Sequence, residues 1–227
     1  MDVGGTDISG TEVTDVNVVV DDADPISISD SIDDSGVRTG SGVNLIQTFD
    51  FKSYDLYTAN LDGTNIVKHT SDDIAERYPC FSPSYPDVVY YARAVASEAY
   101  QDVDDPATSE IYRLFLGTGQ SEKVFTAPDL VRHCSFNSSG SMMAFSMHNG
   151  TNFDIYLYDL TTGTIALVAD TGGEDLWPSF SPAGNLIAFQ SDVSGDNDIY
   201  TTNLTGSVVK NLTNNRDYED TSPAWSP

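Results

Sequence analysis

Oxygen-bearing side chains occupy every second position of the segment 192–198. They are Asp192, Ser194, Asp196 and Asp198. A hard cation such as Ca²⁺ takes about six to eight oxygen ligands, so this spacing makes the segment a candidate calcium site, and we expect no other cofactor. The default interpretation is an ordinary polar hairpin without a cofactor, because the segment lacks the glutamate that completes a helix-loop-helix calcium loop.

A second set of candidate ligand-binding residues recurs at intervals of 55, 44 and 45 residues. It consists of Tyr78, His133, Trp177 and Ser222. The regular spacing places the four at one level of a repeating structure, near the mouth of its axis. Rings of Tyr, His and Trp can stack a sugar or clamp a peptide. Local packing at a loop end is the alternative.

The segment 94–109 lengthens one copy of the repeat described below, and it is strongly acidic. Its acidic residues are Glu98, Asp102, Asp104 and Asp105. Long loops on a rigid scaffold often carry partner contacts, so this segment is a candidate partner loop. The default interpretation is a solvated run of charge.

Motifs that define common catalytic sites are absent from the sequence. There is no G-x-S-x-G nucleophile elbow and no Gly-rich phosphate loop. The three histidines, His69, His133 and His148, never take a zinc-ligand spacing. We therefore assign no catalytic residue, and we lean towards a non-enzymatic protein.

The charge balance excludes several partner classes. Lys and Arg number 10 against 35 Asp and Glu, which gives a net charge of −25. Nucleic acids and anionic membranes need clustered cations, so neither is an expected partner. No apolar run is long enough for a transmembrane helix. The surplus acid is also typical of a salt-rich or calcium-containing medium and of a halophilic source.

Two sequence markers repeat in phase along the chain. An acidic residue, an aliphatic residue and a tyrosine begin at positions 55, 110, 154 and 198, and an aromatic residue, usually followed by Ser-Pro, stands at positions 81, 136, 180 and 225. Between the markers, each unit of about 44 residues has the pattern of four short strands, the size of one blade of a β-propeller. We therefore predict an all-β propeller of four-stranded blades, with about four repeats.

The blade interfaces must bury the apolar positions of both markers, because a lone sheet cannot bury its own faces. The predicted core residues are Phe81, Phe136, Phe180, Trp225, Ile111, Ile155 and Ile199. Residues 1–41 stand apart as an acidic tail or linker, and residues 42–227 form the propeller.

The unit that begins at Phe180 resembles the repeat of the TolB-like propeller family. It contains Phe180-Ser181-Pro182-Ala183-Gly184, Ile187-Ala188-Phe189, Ser191-Asp192-Val193-Ser194-Gly195 and Asp198-Ile199-Tyr200. The resemblance covers residues 42–227. It implies a periplasmic or extracellular location and a protein partner of the cell envelope. Related propellers also serve as carbohydrate-active enzymes and peptidase gates, so the fold alone does not define the activity.

The leading functional hypothesis is a scaffold for protein-protein interaction at the cell envelope or exterior. One alternative is part of a propeller enzyme, either a polysaccharide lyase or hydrolase or the propeller half of a prolyl-oligopeptidase-type peptidase. The other is calcium-dependent adhesion or carbohydrate binding through the acidic loops.

The number of blades has two interpretations. The repeats either close into a four-blade ring, in which residues 221–227 complete the first blade, or belong to a six-blade propeller. The second interpretation predicts exposed apolar faces and self-association.

The two cysteines, Cys80 and Cys134, occupy neighbouring positions of the repeat rather than equivalent ones. Regular alternation along a strand points such side chains in opposite directions. The sequence therefore predicts two free thiols.

Overall fold

The computed structural model describes residues 44–47, 54–60, 62–71, 74–94, 108–214 and 218–226. Within these ranges the chain forms strands and turns and no helix. The strands are β1 Asn44–Gln47, β2 Leu56–Ala59, β3 Val67–Lys68, β4 Glu76–Ser82, β5 Tyr85–Ala94, β6 Ser109–Phe115, β7 Gln120–Thr126, β8 Val131–Phe136, β9 Met142–His148, β10 Phe153–Asp159, β11 Thr164–Ala169, β12 Leu176–Phe180, β13 Leu186–Ser191, β14 Asp198–Asn203 and β15 Val209–Asn211.

These strands form antiparallel sheets in which each strand pairs with its neighbours in sequence. Blade 1 comprises β1–β3, blade 2 comprises β4–β7, blade 3 comprises β8–β11 and blade 4 comprises β12–β15. The first strands of blades 2, 3 and 4 lie side by side and form the inner edge of the arc. This arrangement confirms the predicted all-β propeller with four-stranded blades.

The hydrophobic core consists of layers between adjacent blades. Strand β9 shows why both faces of a blade are apolar: Met143 and Phe145 pack towards blade 2, while Ala144 packs towards blade 4. A third layer joins Leu56 of blade 1 to Val89 of blade 2. Blades 2 and 3 each have a neighbour on both sides in the described part of the chain, so their middle strands are apolar at consecutive positions.

The marker residues occupy these layers as predicted where two blades meet. Phe81, Phe136, Phe180, Ile111 and Ile155 are buried. Ile199 and Trp225 are only half-buried. Residues 221–226 lie beside β12, and Trp225 Nε1 donates a hydrogen bond to the Ser179 carbonyl at 2.9 Å.

The prediction of two free thiols is wrong. Cys80 on β4 and Cys134 on β8 form a disulfide, with their Cα atoms 5.8 Å apart. Both inner strands contain a β-bulge just before the cysteine, between Arg77 and Cys80 and between Arg132 and Cys134. A bulge inserts an extra residue and changes the direction of the following side chain, so strict alternation does not apply.

Several predicted features lie outside the described residues. They are the acidic tail or linker 1–41 and the four acidic residues of the partner loop, Glu98, Asp102, Asp104 and Asp105. The choice between a four-blade ring and a six-blade propeller stays a prediction. In the ranges that the structure describes, no helix has the length and apolarity needed to cross a membrane.

Candidate functional site at the inner strands

The four residues predicted to lie at one level share an unusual backbone conformation. Their φ angles are 53° at Tyr78, 45° at His133, 57° at Trp177 and 53° at Ser222. Non-glycine residues seldom adopt positive φ, and bulky ones do so rarely. Such strain costs on the order of 1–3 kcal/mol per residue and is often found at functional sites. We call these four residues the mouth ring.

The β-bulges of the inner strands produce this conformation. In β12, as in β4 and β8, the register shifts across the mouth-ring residue, here between Leu176 and Ser179. The bulge takes Trp177 out of the regular pairing with β13 and allows its side chain to leave the plane of the sheet. Blades 2, 3 and 4 therefore each present one side chain at the same end of the inner strand.

Three rings of the mouth ring are in contact across three blades. The His133 imidazole stacks on the Trp177 indole, with centroids 3.6 Å apart and planes inclined by 20°. The Tyr78 ring meets His133 edge-on, with centroids 4.8 Å apart. Ser222 continues the series, and its backbone N–H donates to Gln190 Oε1 at 3.1 Å. The structure thus brings Tyr78, His133 and Trp177 together, as the repeat spacing predicts.

His133 is neutral at physiological pH. Burial, together with the adjacent Arg132 guanidinium, lowers the pKa of the His133 imidazole to about 3. The Arg132 guanidinium lies over the Phe153 ring, 4.4 Å from its centroid. The mouth ring therefore offers an uncharged aromatic surface, and the positive charge of the neighbouring Arg132 acts on His133.

The space beside the mouth ring is small. A cavity of about 10 Å³ lies between blades 2 and 3 and is lined by Tyr78, His133 and Cys134 among others. A cavity of this volume accommodates about one water molecule at most. A ligand of this part of the mouth ring would therefore stack on its surface.

The disulfide supports the mouth ring, and regular strand alternation does not predict it. Cys134 directly follows His133, and its Sγ lies 3.2 Å from the Tyr78 carbonyl oxygen. The Cys80–Cys134 bond thus joins the two inner strands that carry Tyr78 and His133. The available signal was two cysteines within two residues of mouth-ring positions on adjacent repeats.

The predicted calcium hairpin is held by hydrogen bonds within the chain. Ser194 Oγ and Asn211 Nδ2 donate to Asp198 Oδ2 at 2.5 and 2.8 Å. The Glu174 backbone N–H donates to Asp192 Oδ1 at 2.8 Å. In the described part of the chain, no three His, Cys, Asp or Glu side chains are grouped to hold a metal ion. Calcium binding by Asp192, Ser194, Asp196 and Asp198 stays a prediction.

The fold and the repeated inner-strand site define a β-propeller, and comparison with known families identifies its kind. The sequence model of the TolB beta propeller domain matches residues 42–227. The chain belongs to this family.

Individual relatives agree with this assignment. The Tol-Pal system protein TolB of Gluconobacter oxydans is 28% identical over 136 residues, which is 56% of this chain and 30% of the relative. The crystal structure of TolB from Acinetobacter baumannii is 25% identical with a TM-score of 0.59, and the match covers 70% of this chain and 37% of that one. A putative TolB from Agrobacterium tumefaciens has a TM-score of 0.62 at 23% identity, and the match covers 76% of this chain and 59% of that one.

The chain spans less than a third of the length of the Gluconobacter oxydans TolB. An oligogalacturonate lyase in complex with manganese has a TM-score of 0.53 at 20% identity, and the match covers 71% of this chain and 48% of the lyase. At this identity the likeness concerns the fold alone.

Proposed function

We propose that the protein is a non-enzymatic scaffold that binds a protein partner at the cell envelope or exterior through its mouth ring. The observation that carries this proposal is the contact series Tyr78–His133–Trp177, held in a strained conformation on three adjacent inner strands. Aromatic side chains lose little conformational entropy on binding and are enriched at protein interfaces.

The disulfide supports the proposed location. Disulfides persist in oxidising compartments such as the periplasm and the exterior, and they are rare in the cytosol. The Cys80–Cys134 bond joins two blades, and Cys80 is 3% exposed. A periplasmic or extracellular location supplies the oxidising conditions in which such a bond forms.

The net charge indicates the chemistry of the partner. With a net charge of −25, the protein attracts basic surfaces by long-range electrostatics, which raises the association rate. We therefore propose a partner with a basic face and an apolar or aromatic patch that stacks on the mouth ring.

Affinity capture from a native envelope extract tests the proposal. The matched pair of baits is the variant Y78A/W177A and the control Y85A. Tyr85 is a 58% exposed aromatic residue beyond the opposite end of β4. We expect one partner to be retained by wild type and Y85A and lost with Y78A/W177A. Circular dichroism would establish that all three proteins are folded.

The enzyme and carbohydrate alternatives have their own outcomes in the same material. Turnover of a pectic oligosaccharide by the wild-type chain with added manganese would favour a lyase. Competition of partner capture by neutral oligosaccharides would favour a sugar-binding mouth. Equal partner retention by all three baits would refute the proposed role of the mouth ring.

A further inference from the structure

In blades 1, 2 and 4 the acidic residue of the D/E-x-Y marker is paired with a residue on the last strand of the blade. In blade 1, Lys68 Nζ lies 2.6 Å from Asp55 Oδ2. In blade 2, Lys123 Nζ lies 2.7 Å from Glu110 Oε1. Both lysines occupy the same register position, opposite the marker tyrosine. The carboxylate and the ammonium thus link the strand that carries the marker to the last strand of the blade.

Blade 4 reaches the same result with neutral donors. Asp198 accepts hydrogen bonds from Ser194 Oγ, from Asn211 Nδ2, which replaces the lysine, and from Thr213 Oγ1 at 3.1 Å. Three donors satisfy a buried carboxylate nearly as well as a cation does.

Blade 3 lacks these partners. The register position opposite Tyr156 is occupied by Leu167, which has no donor. Blade 2 has Thr126 opposite its acidic residue, with Thr126 Oγ1 donating to Glu110 at 3.4 Å. In blade 3, Ile155 pairs with Ala169, so the residue opposite Asp154 is Asp170, a like charge.

Asp154 is therefore buried with one of its oxygen atoms unsatisfied. The residue is 1% exposed, and Asn149 Nδ2 donates to Oδ2 at 2.7 Å. Oδ1 is buried and has no hydrogen-bond partner. An ionised carboxylate in this position is costly because burial and like charges both disfavour the charged form.

The charged groups around Asp154 come from three segments. Asp170 and Glu174 lie on the loop 170–175 and repel its charge, whereas His148 on the hairpin 148–153 attracts it. Asp175, at the end of the same loop, also interacts with Asp154. His148 in turn lies 3.7 Å from Asp129, before β8. Negative groups predominate.

We propose that Asp154 is a proton-binding site, in which a proton on Oδ1 replaces the lysine ammonium of blades 1 and 2. Protonation removes one negative charge from the cluster and turns Oδ1 into a donor, with the Asp170 carboxylate as the acceptor opposite it. Proton uptake would thereby fasten the loop 170–175 to the hairpin 148–153.

Existing contacts show that this loop and hairpin already act on each other. The Phe153 N–H donates to Glu174 Oε2 at 3.3 Å, and Asn152 Nδ2 donates to the Gly173 carbonyl. The loop leads directly into β12, whose second residue is Trp177. The protonation state of Asp154 is thus placed to control the order of the segment that carries part of the mouth ring.

The pKa directions agree with this geometry. Burial raises the pKa of the Asp154 carboxyl, and it raises that of the Asp175 carboxyl to about 6. A carboxyl whose pKa is raised on folding binds more protons in the folded state. Its destabilising effect is absent below the ordinary value of 3.8 and complete above the raised value, so stability falls as pH rises through that window.

Three variants of the full chain test the proposal by thermal unfolding at about pH 5 and about pH 8. D154N removes the charge and supplies an amide donor. L167K/D170T gives blade 3 the lysine and threonine of blade 2, and Leu167 is 48% exposed, so a lysine fits there. E110Q is the matched control, because Glu110 is already paired with Lys123.

We expect D154N and L167K/D170T each to raise the Tm at about pH 8 by roughly 2–4 °C and to change it less at about pH 5. E110Q should lower the Tm or leave it unchanged at both values. Differences between variant and wild type cancel the titration of groups that do not interact with Asp154, such as His133. At about pH 8, backbone hydrogen exchange of residues 170–177 should be slower in D154N than in wild type, and the other two variants should not show this change.

Three results would overturn the proposal. The first is a D154N curve of Tm against pH that runs parallel to wild type, and the second is a D154N protein less stable than wild type at about pH 8. The third is stabilisation of wild type, and not of D154N, by millimolar calcium at about pH 8, since Asp154 would then bind a metal cation.

Discussion

Removal of the Cys80–Cys134 disulfide should destabilise the protein strongly. The bond closes a loop with a sequence separation of 54 residues. In the chain-entropy treatment, a loop of this length restricts the unfolded state by about 4 kcal/mol at 25 °C. For a chain of this size that corresponds to a fall in Tm of about 8–16 °C. The double variant C80A/C134A is the appropriate perturbation, because alanine adds no polar group at the buried Cys80 position.

The assay is thermal unfolding followed by circular dichroism, with wild type measured in the presence and absence of a reductant. Reduced wild type and C80A/C134A should unfold at similar temperatures, both well below oxidised wild type. Alkylation of the denatured, unreduced wild type should add no mass, since neither thiol is free. Alkylation of two cysteines would refute the disulfide, and a variant that unfolds within about 2 °C of oxidised wild type would refute its stabilising effect.

Three further predictions concern the mouth ring and the contacts between blades. The pKa of His133 is lowered to about 3, so only the unfolded state binds its proton as pH falls below 6.5, and wild type loses stability there. H133Q lacks this titration and should lose less stability than wild type over the same pH range. Unfolding measured against pH would check this, and parallel curves for the two proteins would contradict it. G206A should cost more stability than G119A: φ is 69° at both positions, but a Cβ at Gly206 would lie 2.8 Å from the Val168 carbonyl oxygen, whereas at Gly119 it meets nothing within 4 Å. G119A should cost about 1–2 kcal/mol in denaturant unfolding, and equal losses would refute the close approach of blades 3 and 4. W177A should cost about 0.5–1.5 kcal/mol beyond the loss of buried area, because it removes the stack on His133, and a fully additive double-mutant cycle of Trp177 with His133 would refute that coupling.

The repeat markers predict most of the architecture because both report on packing that every blade must repeat. Phe136 and Phe180 are buried between blades, and Ile155 is fully buried. Ile199 has the same sequence pattern but is only half-buried, because the hydrophobic clusters of the described residues lie between blades 1 and 2, 2 and 3, and 3 and 4, and none lies on the far side of blade 4. A local pattern identifies the strand and its core face, whereas burial also depends on the neighbouring blade.

The arrangement of the mouth ring is predictable in part. Equal spacing places Tyr78, His133 and Trp177 at one level, and the structure brings their rings into contact. The positive φ angles and the bulges that orient these rings have no signature in residue type, since glycine occupies none of the positions. The same bulges join Cys80 to Cys134 and defeat the alternation rule.

The sequence contains a signal for the proposed proton-binding site at Asp154. The marker acid is followed 13 positions later by Lys68 in blade 1, Lys123 in blade 2 and Asn211 in blade 4, whereas blade 3 has Leu167. Asp154 is distinguished by the lack of a polar partner at this position of the repeat. Composition alone does not distinguish it, because acidic residues are abundant along the whole chain.

Site-specific photo-crosslinking tests the proposed function of the mouth ring most directly. A photoreactive phenylalanine analogue would replace Trp177 in one preparation and Tyr85 in a second, and each would be irradiated with native envelope extract. We expect a single crosslinked protein partner from position 177 and none from position 85. Crosslinks of equal yield from both positions, or from position 85 alone, would contradict a binding site at the mouth ring.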